Sequence, residues 1–234
     1  MKTVETGRYR HQLAEAAALQ IELSKSIILQ PFKGTLRYIA GVDAAFIDDT
    51  IIAAACLYEF TSDEEISKKH LQKTDEKTVL RNVEFPYIPG FLSFREAPAM
   101  IDALRALITP PDIILVDGQG IAHPRGFGLA SHIGVLMGLP TVGSAKSRLI
   151  GNYIEPDTVK GSTSELLTGT KKVGTVLRSR NNVKPLFISP GHLVDFNDSV
   201  RIVLDCTTNY RLPQPIRCAH NLAAVRKVKG LKKS

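Results

Sequence analysis

The chain has 234 residues, 44% of them hydrophobic, and a formal charge of +7. That length carries one large domain or two small ones around a real core. No apolar run approaches the ~18 residues that cross a bilayer, so neither a membrane span nor a membrane partner is expected. The opening residues are polar and charged, which argues against a secretory leader. Cys56, Cys206 and Cys218 are odd in number, widely spread and in no C-x-x-C arrangement. This spacing argues against a disulfide framework or a zinc site and for a reducing, cytoplasmic setting. The positive balance favours an anionic partner, because neutralising phosphates releases bound counterions.

In chain order, apolar residues at Leu13, Ala16, Ala17, Ile21, Leu23 and Ile27 predict a helix over 8–29, closed by Pro31. Segments 37–47 and 50–60 are rich in β-branched and apolar residues and are split by Asp48-Asp49, a hairpin signal. The polar piece 62–82 offers a third, edge strand around 77–83. Residues 93–108 return to helical period and stop at Pro110-Pro111. Ile113 to Val116 reads as a short buried strand, 126–137 as a helix and 141–144 as another strand. Two further strands are expected over 172–178 and 185–189, then helices over 197–209 and 215–228. The basic run from Arg226 to Lys233 reads as a flexible, solvated tail. There is no repeat, low-complexity linker or composition break. One α/β domain with a mixed sheet, spanning 1–234, is the economical reading.

Three acids stand where acids are unusual. Asp43 lies within the apolar stretch Tyr38 to Phe46; aspartate is depleted in strands, and a buried unpaired carboxylate is costly. A metal ion would compensate, as would a salt bridge or a bulge. Glu96 shares a helical stripe with Met100, Leu104 and Leu107, which turns it toward the core. Ser93-Phe94-Arg95-Glu96 also fits a capping box, so ligand and cap both remain open there. Pro98 would fall in the second turn of that helix, against the capping register. Asp117 ends the buried strand 113–116, where open α/β sheets bind ligands, although an aspartate before glycine often only caps a turn. Three carboxylates offer hard oxygen ligands, suited to Mg²⁺ with Mn²⁺ as substitute.

Around them stand groups suited to phosphate chemistry. His123 could orient or deprotonate water, or ligate a second metal. Arg125 and Lys146 could hold phosphate oxygens. Gly118 and Gly120 allow close backbone approach to a ligand, but His123 occupies the place of the third glycine in a dinucleotide-binding fingerprint. His132, on an apolar helix, reads as a core histidine, and local context does not decide His220. Pro86-Tyr87-Ile88-Pro89-Gly90 is a stiff loop that either holds Tyr87 out as a wedge or folds it inward.

These blocks together resemble the endonuclease V family: Gly41-Val42-Asp43; Pro86-Tyr87-Ile88-Pro89-Gly90 with Ser93-Phe94-Arg95-Glu96; Asp117-Gly118-Gln119-Gly120 with Ala122-His123-Pro124-Arg125; and Pro140-Thr141-Val142-Gly143 with Ala145-Lys146. The resemblance runs from about residue 36 to about 220, in that family's order. Some members of the family carry histidine where Gln119 stands. The resemblance implies an RNase H-like fold and Mg²⁺-dependent cleavage, at the second phosphodiester 3′ to the lesion, of DNA containing deoxyinosine. It implies Asp43, Glu96 and Asp117 as catalytic carboxylates and metal ligands, with His123 and Lys146 supporting them. Tyr87, among Pro86, Ile88, Pro89 and Gly90, takes the wedge position, and Gly118, Gln119, Gly120 and Ile121 fall where the family lines its base pocket. Two alternatives stand beside this: a ribonuclease cutting inosine-containing RNA, and a non-cutting reader of deaminated bases. A monomer in the cytoplasm is expected.

Overall fold

The computed structural model describes residues 2–63 and 68–231. Thirteen elements follow in chain order: α1 (Lys2–Ser24), β1 (Tyr38–Ile47), β2 (Thr50–Asp63), β3 (Lys68–Asn82), α2 (Leu92–Arg105), β4 (Ile113–Val116), α3 (Leu129–Met137), β5 (Thr141–Ala145), β6 (Thr163–Thr168), β7 (Lys171–Leu177), β8 (Leu186–His192), α4 (Phe196–Asp205) and α5 (Gln214–Leu231). The strands form one eight-stranded sheet in the order β3-β2-β1-β4-β5-β8-β7-β6. Its centre, β1-β4-β5, is parallel, and antiparallel strands flank it on both sides. The mixed α/β sheet expected from the sequence is therefore present.

Helices cover both faces, and strand alternation sorts the core into two layers. On one face Ala40, Val42, Ile114 and Val116 pack with Met100 and Leu104 of α2 and Ile133 of α3. On the other, Ile39, Ile113 and Leu115 pack with Ile202 and Val203 of α4 and Ile216 of α5.

The hairpin signal holds. Ile47 pairs with Thr50, and Asp48 turns the chain at a φ of 47°, a conformation aspartate tolerates better than most residues. The third strand is longer than expected, reaching back to Lys68, because β2 extends well beyond Phe60 and supplies partners for it.

Three expectations need correction. The first helix ends at Ser24 and not near Leu29: Lys25 N–H and Ser26 N–H turn back to Glu22 and Leu23. Ile28 then leaves to bond Leu193 and His192 at the end of β8. Those tertiary hydrogen bonds outweigh the helical period of Ile27. β6 was not expected, because only Leu166 of its residues is fully buried, so the alternation is nearly all polar. Lastly, the basic run from Arg226 to Gly230 continues α5 as helix; Lys232 and Lys233 lie outside the described residues.

His132 is a core histidine. It is buried between the rings of Phe94 and Phe127, at 5.1 and 5.2 Å, and its Nδ1 has no partner. Burial lowers its pKa to about 4, against about 6.5 in the unfolded chain. The unfolded state thus binds the extra proton first. The stability that neutral His132 contributes is whole above about pH 6.5 and lost as pH falls toward about 4. The stability of His132→Phe relative to the native chain should therefore rise, by on the order of 2 kcal/mol, between pH 7 and pH 4. Urea unfolding at the two pH values measures this, and an unchanged difference would show that His132 does not titrate with folding.

Candidate active site

Parallel pairing builds the site. Val42 of β1 lies opposite Val116 of β4, and Asp117 N–H donates to the Val42 carbonyl at 3.3 Å. The next residues, Asp43 in mid-β1 and Asp117 just past β4, therefore stand side by side where the pairing of these two strands stops. Both share the parity of Ile39, Ile113 and Leu115, so both point to the face that α5 covers. From α5 comes His220, whose Nδ1 lies 2.7 Å from Asp43 Oδ2. The second Asp43 oxygen accepts Ala44 N–H at 2.8 Å. Ligand atoms of Asp43, Asp117 and His220 all fall within 4.8 Å of one another. Lys146, just beyond the adjacent strand β5, forms an ion pair with Asp117.

Glu96 of α2 comes from the opposite layer, near enough for the charges of Asp43 and Asp117 to act on it. It is not one of the trio within 4.8 Å, so the three acids assemble as a charge cluster, and His220 supplies the third ligand atom of the tight group. The capping alternative for Glu96 does not hold. Helix α2 begins at Leu92 behind Phe91, without a side-chain cap, and the buried Ser93 hydroxyl has no partner. Pro98 sits in the helix's second turn, with its ring exposed.

Burial, and then the negative charges of Asp43 and Asp117, push the Glu96 carboxyl up to about 8. Burial and Asp117 likewise raise Asp43, against the His220 and Ala44 hydrogen bonds, which lower it. The raised proton affinities of Glu96 and Asp43 mark an excess of negative charge that Lys146 and His220 only partly offset. Carboxylate oxygens with one imidazole are a donor set for a divalent cation, whose charge would relieve that repulsion.

A cavity of about 380 Å³ opens beside the cluster. Its walls include Asp117, Lys146, Gly118 and Gln119 on one side and Tyr87 to Gly90 on the other. Tyr87 stands out, 71% exposed, so the stiff loop holds it outward. Gln119 donates through Nε2 to the Ser147 carbonyl at 3.0 Å, while its buried Oε1 has no partner.

The loop is held in place through the Gly90 carbonyl. It accepts from His123 Nε2 at 3.1 Å, from Gln20 Nε2 at 3.2 Å and from the Arg125 guanidinium. His123 Nδ1 accepts the Arg125 backbone N–H at 3.3 Å, so the ring is neutral with its proton on Nε2. Burial, and then Arg125, lower its pKa to about 4, consistent with that state. Arg125 also donates to Gln20 Oε1 and lies over the Phe91 ring, 4.2 Å from its centroid.

His123 and Arg125 thus brace the loop. Gly120 and Ile121 form the layer beneath the cavity and are not among its lining residues: Ile121 N–H donates to Pro190, and a Cβ on Gly120 would stand 2.0 Å from the Pro190 oxygen. Sequence reasoning left His220 undecided and missed Gln20 altogether. Full burial of a glutamine within a largely polar helix has no local signal.

A parallel three-stranded centre with one acid in mid-β1 and a second beside it at the carboxyl end of β4, inside a mixed sheet clothed by helices, defines an RNase H-like nuclease. The endonuclease V family model matches residues 21–221. An endonuclease V of Geotalea uraniireducens is 45% identical over 212 residues, covering 91% of this chain and 87% of that protein. The crystal structure of endonuclease V from Streptomyces avermitilis superposes with a TM-score of 0.82 at 41% identity, over 94% of each chain. Ciona intestinalis endonuclease V, in complex with DNA containing an inosine followed by a ribo-adenosine, gives 0.78 at 26% identity, over 94% of this chain and 98% of that one. The chain belongs to the endonuclease V family.

Proposed function

We propose that this chain is a metal-dependent endonuclease that recognises deoxyinosine in DNA and hydrolyses the second phosphodiester 3′ to it, acting in repair as a monomeric, cytoplasmic, single-domain enzyme. The observation that carries the reading is the convergence of Asp43, Asp117 and His220 beside the cavity that Tyr87 and Gln119 border. Among the described residues no helix is long and apolar enough to cross a membrane.

Asp43, Asp117 and His220 would hold Mg²⁺, or Mn²⁺ in its place, with Glu96 facing the group from α2. When bound, the ion supplies positive charge at the scissile phosphate and acidifies water. Glu96 would orient the attacking water and take its proton once the ion's charge has offset the Asp43 and Asp117 repulsion that adds to burial in raising its proton affinity. Lys146 moves between Asp117 and a phosphate oxygen, steadying the charge that develops there. Tyr87, held out by Pro86 and Pro89, fills the gap when the damaged nucleotide rotates out, a step that costs less at a mispair.

Gln119 accounts for base choice. With Nε2 fixed on Ser147, its buried and unpartnered Oε1 would accept the N1–H of hypoxanthine once entry of the base opens the pocket to it. Adenine offers a lone pair at N1 and a donor at its exocyclic amine, and leaving such groups unpaired costs ~1–3 kcal/mol.

Incubating the protein with a duplex containing one deoxyinosine, with and without Mg²⁺, tests the reading; a nick that needs Mg²⁺ is expected. Binding without a nick would favour the reader of deaminated bases. A ribonuclease acting on inosine-containing RNA is the second reading. It draws on the ribo-adenosine that follows inosine in the Ciona complex, and an inosine-containing RNA strand assayed in parallel separates the two. In the same assay Tyr87→Ala should lower preference for the lesion over intact duplex by about tenfold, the scale of one lost stacking contact. Unchanged preference would remove the wedge role.

A further inference from the structure

The spacing of the cysteines argues against a zinc site, yet the fold brings two of them together. Cys56 sits in β2, between Ala54 and Tyr58, on the strand face that α5 covers with Ala219 and Ala223. Glu76 of β3 is the register partner of Cys56, so the two side chains leave the same face of the sheet as direct cross-strand neighbours. Cys218 approaches from α5. The Cys56 and Cys218 sulfurs and a Glu76 oxygen all lie within 4.8 Å of one another. A cavity of about 320 Å³, bordered by Tyr58, Glu76, Gln214 and Cys218, opens beside them.

We propose that Cys56, Cys218 and Glu76 form a second cation site, for a thiophilic divalent ion of the Zn²⁺ class. Two thiolates and a carboxylate are a borderline-soft donor set, distinct from the oxygen and imidazole donors of the Asp43 cluster. Three protein ligands leave a fourth tetrahedral position, and the adjoining cavity admits water to it. Cys56 is fully buried and Cys218 half-buried, so one side of the site is dry and the other faces solvent. Binding releases the two thiol protons to solvent, with no change of oxidation state.

One group opposes the ion. Lys73 pairs with Glu76 at 2.8 Å, but both side chains are more than two-fifths exposed, and a surface ion pair of that kind contributes little. The carboxylate can exchange Lys73 for a divalent cation. A bound ion would tie β2, β3 and α5 together, two residues along α5 from His220.

Titrating the full chain with Cd²⁺, under a phosphine reductant and saturating Mg²⁺, tests this independently of nuclease activity. One Cd²⁺ per chain should produce a sulfur-to-cadmium charge-transfer band and raise Tm, and a large excess of Zn²⁺ should compete for the same site. Cys218→Ser should abolish the band. Glu76→Gln should keep it while weakening affinity by about tenfold or more, a loss already typical of an outer-shell partner. Cys218 and Glu76 are accessible enough for these variants to fold even if Cys56→Ser does not. No band in the native chain, or a band that survives in Cys218→Ser, would overturn the site.

Discussion

Asp43→Ala should abolish nicking of a deoxyinosine duplex, by about 10³-fold or more, the scale seen when a group that stabilises developing charge is removed. Binding of the same duplex should persist, because the Tyr87 loop, Gln119 and Lys146 are built on other elements. The stability of the variant separates this from simple unfolding. Asp43 is buried beside Asp117, and each raises the cost of a charge on Glu96. Removing Asp43 relieves that repulsion, so the ion-free variant should melt no lower than the native chain. The rise in Tm that Mg²⁺ gives the native protein should disappear, since the tight trio has lost one of its three donors. A variant that still nicks, or still gains stability from Mg²⁺, would place the cation elsewhere.

Asp43 and Asp117 were legible in the sequence because each interrupts or ends an apolar run, and elementary electrostatics marks a charge there as needing a reason. Parallel pairing of the two runs then brings the acids side by side. Glu96 was legible as an acid turned toward the core near Asp43 and Asp117, although its helix starts earlier than the capping pattern suggests. His220 was not legible. It lies 177 residues from Asp43, and its neighbours Arg217, Cys218 and Ala219 carry no metal-ligand spacing. Only the docking of α5 across β1 gives the imidazole a role. Gln20, 105 residues from Arg125, is a similar case.

The same limit applies to fold details. Strands that bury one whole face were readable, whereas β6, with Leu166 alone fully buried, was not. The pairing of Cys56 with Cys218 shows the reverse side of this limit. Spacing along the chain excludes compact motifs and says nothing of residues that a sheet and a crossing helix bring together.

Gly41→Ala should be the most damaging small substitution in the site's framework. Gly41 lies in mid-β1, paired with Cys56 on one side and Leu115 on the other, where glycine weakens a strand and a side chain would ordinarily be welcome. Here the first turn of α5 passes directly over it. A Cβ would stand 2.1 Å from the Pro215 carbonyl carbon, 2.3 Å from its oxygen and 2.4 Å from the Ile216 nitrogen. All three are backbone atoms, so no rotamer change relieves the overlap, and Ile216 is itself fully buried. Either the helix lifts from the sheet or the strand bends, and the cost should be on the order of 3 kcal/mol or more. The function should fall further than the stability. Lifting α5 withdraws His220 from Asp43, so any fraction that remains folded should lose Mg²⁺-dependent nicking along with its melting temperature. Urea unfolding and the nicking assay measure the two effects on one preparation. A Gly41→Ala protein of native stability and full activity would mean that α5 does not cross β1 at this point, and the trio of donors built on that crossing would fall with it.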